Sequence, residues 1–165
     1  MMSAGVFLAQ TAINRHAAPF NHAKSDVNDL KVTIGCQVFL ARFEKTRSPK
    51  TVARFSALLP YKQKIIHVRR SGEACWVPLG TMDFGVGFED STSFPKPGDM
   101  LLYPGGISET ELLLAYGPTR FASKAGQLAG NHFLTIRDDL DRLAEVGRQI
   151  LWAGAQDILF ESLRS

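Results

Sequence analysis

Long apolar runs are what the sequence most clearly lacks. No segment of the 165 residues approaches the ~20 apolar positions that a membrane-spanning helix needs, so no membrane partner is expected. Cysteine is scarce. Cys36 and Cys75 stand alone, with no CxxC and no Cys/His ligand spacing, which argues against a structural zinc site or any other metal. Each sits in an apolar, strand-like segment, so both are read as reduced core thiols of a cytoplasmic protein. Charge of one sign is missing too. Nineteen Lys and Arg against sixteen Asp and Glu leave a formal charge of +3, with the cations scattered. Nucleic-acid surfaces carry a basic stripe or stacked aromatics on a recognisable module, so no nucleic-acid partner is expected. There is no Ser-His-Asp spacing, no nucleophile elbow and no repeat. Gly85-Val86-Gly87 is too short for a dinucleotide fingerprint and precedes no helical pattern, so no cofactor is expected.

What is present fits one domain, residues 29–165, preceded by residues 1–28. That segment mixes Ala, Asn, His and Ser without a period and is read as a flexible extension; its short apolar patch lacks the basic lead of a signal peptide. The informative stretch runs from Ser91 to Ile136. The turn cluster Pro95-Lys96-Pro97-Gly98-Asp99 opens it. Three apolar runs follow, Met100–Tyr103, Glu111–Tyr116 and His132–Ile136, each short and bounded by Gly, Pro or Asn, as buried strands are. The connection Gly117–Asn131 is long and basic, a length that usually carries function or a short helix. Upstream, Lys31–Gly35 and Gln37–Phe43 read as a strand pair. Lys64–Arg70 and Glu73–Leu79 read as a hairpin turning at Ser71-Gly72, with His67 and Arg69 on the face opposite the core. Ser48-Pro49 starts a helix, serine as cap and proline at the first position, with Val52, Phe55, Leu58 and Leu59 on one face and Pro60 as stop. A second helix is expected over Arg137–Trp152, capped by Asp138 or Asp139. Its stripe is Leu140, Leu143, Val146, Gly147, Ile150 and Leu151, and Gly154 stops it before a final strand over Ile158–Phe160.

Three places resemble cyclophilins. The run Ser48-Pro49-Lys50-Thr51-Val52-Ala53-Arg54-Phe55 resembles their first helix. Leu128-Ala129-Gly130-Asn131-His132-Phe133 resembles the segment that brings a histidine to the rim of the proline pocket. Leu140–Gly147 falls where their second helix lies. The central pattern Pro97–Gly106, Glu111–Gly117 and Phe121–Phe133 is similar to a bacterial family of uncharacterised cyclophilin-like proteins. The resemblance implies a mainly β fold, a closed cyclophilin-like eight-stranded barrel with two capping helices. The isomerase site is not carried over intact. His67-Val68-Arg69 stands loosely where isomerases have Phe-His-Arg, Leu112–Tyr116 replaces their Gln-Phe-Phe strand, and Gln127 stands where a tryptophan is expected.

Candidate site residues follow. His132, at a strand start beside Gly130-Asn131, is the first catalytic candidate, since histidine titrates near neutrality. Glu73, at a hairpin mouth, is the second. Candidate ligand contacts are His67, Arg69 as a carboxylate clamp, Tyr103 and Tyr116 at the ends of adjacent strands, Arg120 and Phe121 in the long connection, and Asn131. Each has a structural alternative: a hydrogen-bonded histidine, a solvated barrel face, a basic surface loop, or tyrosines closing a core. Glu109 and Glu111 are read mainly as solvated, and Cys75 as packed rather than activated. The expected function is binding of a small carboxylate- or amide-bearing molecule in a cleft of the barrel, without normal prolyl isomerase activity. The alternatives are a hydrolase of small amides, because related barrels occur in amide-hydrolysing systems, and a true prolyl isomerase. A homo-oligomer is compatible with the sequence.

Overall fold

The computed structural model describes residues 28–163, and the expected N-terminal extension lies, apart from Asn28, outside the described residues. Eight antiparallel strands close into a barrel in the order β2 (Gln37–Phe43), β1 (Leu30–Ile34), β11 (Gln156–Ser162), β3 (Tyr61–His67), β4 (Gly72–Gly80), β7 (Thr110–Thr119), β6 (Asp99–Tyr103) and β10 (Gly130–Ile136). The ring shuts where β10 returns to β2 through Leu134↔Phe43, Thr135↔Arg42 and Ile136↔Ala41. A short strand, β5 (Ser91–Thr92), takes over that edge of β10 at Gly130 and Asn131. The long connection carries a small hairpin, β8 (Ala122–Ser123) with β9 (Gly126–Gln127), rather than a helix.

The three apolar runs are strands, and their composition has a physical cause. Met100, Leu102, Leu112 and Leu114 point into the barrel, while Leu101, Tyr103 and Leu113 point outward into a second buried layer with Ala74, Phe121 and Leu128. A strand covered on both faces reads as a continuous apolar run, not as an alternation. The same second layer corrects the reading of β3. Ile65, not Ile66, faces the barrel interior, and His67 follows it on that face instead of standing opposite the core. Ile66 and Val68 look outward, where the second layer gives them apolar company.

Two helices cap the barrel. In α1 (Pro49–Ser56) Phe55 is fully buried, its ring 4.8 Å from that of Phe133 and 5.1 Å from that of Phe160. Ser48 occupies the N-cap position, yet its buried hydroxyl makes no hydrogen bond. The cap comes from elsewhere: the Glu89 carboxylate accepts from the backbone N–H of Lys50 and of Thr51, both at 2.9 Å. The helix end favours an anion, and a carboxylate serves it better than a hydroxyl. At the opposite end of the barrel, α2 (Leu140–Ala153) starts later than expected, because Asp139 caps it by accepting from the N–H of Arg142 while Asp138 accepts from that of Leu40. Leu143, Val146, Gly147 and Ile150 are buried, and Gly154 ends the helix at φ +85°. Leu140 and Leu151 belong to the expected stripe but flank it, 40% and 50% exposed. Cys36 is a further correction. It lies exposed in the β1–β2 turn, where Gly35 adopts a positive φ, while Cys75 is buried.

Candidate ligand cleft

Across the outer wall of β3, β4 and β7 the register aligns Ile66 with Trp76 and Trp76 with Leu113. This apolar row is the floor of a cleft of about 400 Å³. Three loops wall it: the β3–β4 turn with Arg69, Arg70 and Ser71; the β8–β9 tip with Ser123 and Lys124; and the β6–β7 connection with Ser108 and Glu109. Glu111, two residues from Leu113 on the same strand face, closes one end. Burial, and then the charge of Glu109, push its carboxyl up to about 7. Glu109 is exposed and accepts a hydrogen bond of 3.0 Å from the N–H of Gly80. A cleft of this size, with an apolar floor and charged groups at its rim, has the make-up of a small-molecule site. Glu111 and Trp76 were not among the expected contacts, and Glu111, expected in water, is buried. A carboxylate leading directly into Leu112-Leu113-Leu114, in the same strand, was the one legible sign of it.

Of the expected site residues, His67 and Arg69 line this cleft. Even so, the His67 ring is held on both sides: Nδ1 is 2.7 Å from the carbonyl of Val68 and Nε2 is 2.8 Å from the hydroxyl of Tyr116. Since a carbonyl only accepts, the arrangement fits Nδ1–H donating to Val68 and the Tyr116 hydroxyl donating to Nε2. Tyr116 otherwise sits in the barrel core against α2. Tyr103 and Phe121 belong to the second buried layer, edge to face at 6.1 Å, with the Tyr103 hydroxyl accepting from the N–H of Ile107. Arg120 is exposed and donates to Gln127 Oε1. Exposed Glu73 covers Gly117, where a Cβ would meet its carboxylate at 1.9 Å.

Asn131 and His132 are buried elsewhere, at the step where β10 changes partner from β5 to β2. The Asn131 amide accepts from Glu89 N–H and the Ser91 hydroxyl and donates to Thr51 and to the carbonyl of Gly87, so it pins the 87–91 loop. His132 accepts from Arg47 at Nδ1, and its Nε2 lies 2.9 Å from the Thr135 hydroxyl and 3.2 Å from Asp99 Oδ1. Thr135 in turn donates to Glu44. Burial raises the Glu44 carboxyl, but hydrogen bonds from Arg42 and Thr135 outweigh it and hold the group below its ordinary range. Among the described residues no group of three or more His, Cys, Asp or Glu can hold a metal, and no helix is long and apolar enough to cross a membrane.

A family model described as protein of unknown function, DUF3830, matches residues 31–162. The chain belongs to the DUF3830 family. No curated protein matches it. Its barrel is similar to that of McbB, solved in complex with tryptophan, at a TM-score of 0.63 and 16% identity over 82% of this chain. The match spans 45% of the McbB chain. It is also similar to the solution structure of the hypothetical protein AF2241 from Archaeoglobus fulgidus, at a TM-score of 0.50 and 14% identity, covering 84% of this chain and 98% of that one. At such identities these likenesses establish a shared fold for this DUF3830 member and nothing about its chemistry.

Proposed function

We propose that this DUF3830 member is a cyclophilin-like binding protein. It takes a small carboxylate- or amide-bearing molecule into the cleft over Ile66, Trp76 and Leu113, and it does not catalyse prolyl isomerisation. The observation that carries this reading is the pairing of an apolar floor with Arg69 and Arg70 at one end, neither of which has an ion-pair partner among the described residues. A guanidinium beside an apolar wall favours a planar carboxylate or amide, which it meets with two parallel hydrogen bonds. McbB offers a parallel in kind: it was solved with tryptophan, a carboxylate with a large ring. His132, buried among Arg47, Asp99 and Thr135, is remote from a role at an open proline pocket, which supports setting isomerisation aside.

Thermal-shift and calorimetric titration against a panel of aryl and alkyl carboxylates, their primary amides and proline-containing peptides test this reading. At least one acid or amide should raise the melting temperature, and Arg69→Ala should weaken its binding by about tenfold or more, the worth of a lost charge-assisted hydrogen bond. Response to proline peptides alone, with catalysed cis/trans exchange, would overturn it in favour of an isomerase.

A further inference from the structure

The cleft has two charged ends, and only one of them is used by a simple acid. Glu111 is 6% exposed, and it is part of the wall. Among the described residues no group donates a hydrogen bond to its carboxyl or pairs with it. The other acids set into the fold are all engaged: Glu44 by Arg42 and Thr135, Glu89 by the start of α1, Asp29 by Phe43 N–H and Lys45, and Asp99 by Lys96 N–H and His132. Its oxygens are not sealed off, since Ser48 Oγ alone among the described residues is a buried side-chain oxygen or nitrogen without a partner; the Glu111 carboxyl opens to the cleft, and with no protein donor it is left to what enters there. Its neighbour Glu109 adds negative charge at the same end, spent only on the N–H of Gly80.

Strand direction fixes where the two ends stand. Because β3 and β7 are each antiparallel to β4, they run the same way. Glu111 precedes Leu113 along β7, whereas Arg69 and Arg70 follow Ile66 along β3, so acid and bases lie on opposite sides of the apolar row. Each same-face step along a strand is about 6.8 Å, which separates the two ends by more than the span of one α-carbon's substituents.

Resting on the cleft as the binding site, we infer that Glu111 receives a cationic nitrogen, so that the ligand is an amine-bearing carboxylate or amide whose two charged ends flank an apolar body. The ammonium or guanidinium replaces the missing donor at Glu111, the body lies on Trp76 and Leu113, and the acid or amide meets Arg69 and Arg70. An α-amino acid, with both charges on one carbon, does not span the row.

Two pairs of probes test this by calorimetry: ε-aminocaproate against caproate, and para-(aminomethyl)phenylacetate against para-methylphenylacetate. In at least one pair the amine-bearing member should bind about tenfold tighter, the worth of one charge-assisted contact. That advantage, read as the ratio of the two dissociation constants within each protein, should vanish in Glu111→Gln and shrink in Glu109→Gln. Arg69→Ala should weaken both members. Equal binding of both members to the wild type, or an amine advantage that survives Glu111→Gln, overturns the inference and leaves the carboxylate cleft standing. Failure of all four probes to bind overturns the inference, and whether other acids bind then decides the cleft reading separately.

Discussion

Glu111 couples the cleft to the stability of the fold. Its carboxyl is raised by burial first and by Glu109 second, to about 7. In the unfolded chain it ionises at the ordinary glutamate value, so between that value and about 7 the native state holds a proton the unfolded state has lost. Stability therefore falls as pH rises through this window and levels off above it. Glu111→Gln removes the ionisation while keeping the shape. We expect the variant to gain on the wild type from about pH 5 to about pH 8, by roughly 1–3 kcal/mol in urea melts. A difference that is flat with pH would mean that the carboxyl is already in water. Gly147 is the second telling residue. A Cβ there would lie 2.2 Å from the Tyr116 ring, which is itself fixed by His67. Alanine improves helix propensity by about 1 kcal/mol, yet displacing a core ring costs about 1–3 kcal/mol. Gly147→Ala should lower the melting temperature, and Gly147→Ala with Tyr116→Leu should recover part of the loss.

At the scale of elements, α1 depends on a loop forty residues further along the chain rather than on its own first residue. Glu89 binds Lys50 N–H, Thr51 N–H and the Thr51 hydroxyl, and Asn131 holds Glu89 in place through its backbone N–H. Burial pushes the Glu89 carboxyl up, but these hydrogen bonds hold it below its ordinary range. Glu89→Ala should cost about 1–2 kcal/mol, as a lost cap does. Ser48→Ala should be neutral or slightly stabilising, since a buried hydroxyl without a partner is lost. The opposite order in chemical denaturation would restore serine as the cap. The contrast also marks what could be read in the sequence. Pro49 and the spacing of Val52 and Phe55 announce a helix because both signals are local. The cap was hidden because it is supplied across the fold. The strands around Leu101 and Leu113 were legible from their continuous apolar runs. That same continuity erased the alternation that would have placed Ile66 outward and His67 inward, and with it the row beneath the cleft. Asn131 and His132 carry chemistry that suits a site, and both are buried and hydrogen-bonded at the step where β10 changes partner.

At the scale of the whole molecule, the barrel is thinly paired at two seams. β4 and β7 pair along most of their length, whereas β10 meets β2 at three positions and β3 meets β4 at two. Polar side chains extend the β2–β10 seam. Asp138 accepts from Leu40 N–H, Asp29 from Phe43 N–H, and beside them Arg47, His132, Thr135, Asp99 and Glu44 form one connected network. His132 is its centre, with partners on both ring nitrogens. His132→Ala leaves Arg47 and Asp99 each short of a partner, which should cost about 2–3 kcal/mol given that both are charged. Because the loss is local to the seam, amide exchange should accelerate first in Ala41–Phe43 and Leu134–Ile136, while the β4–β7 amides keep their protection until global unfolding. Binding in the cleft, on the other wall of the barrel, should be unchanged once the variant is folded. Uniform acceleration across all strands would mean that the ring opens as one unit and that the seam is no weaker than the rest. Loss of ligand affinity at constant fold would instead tie His132 to the site, and would move the functional centre of the barrel from the cleft over Trp76 to its β2–β10 edge.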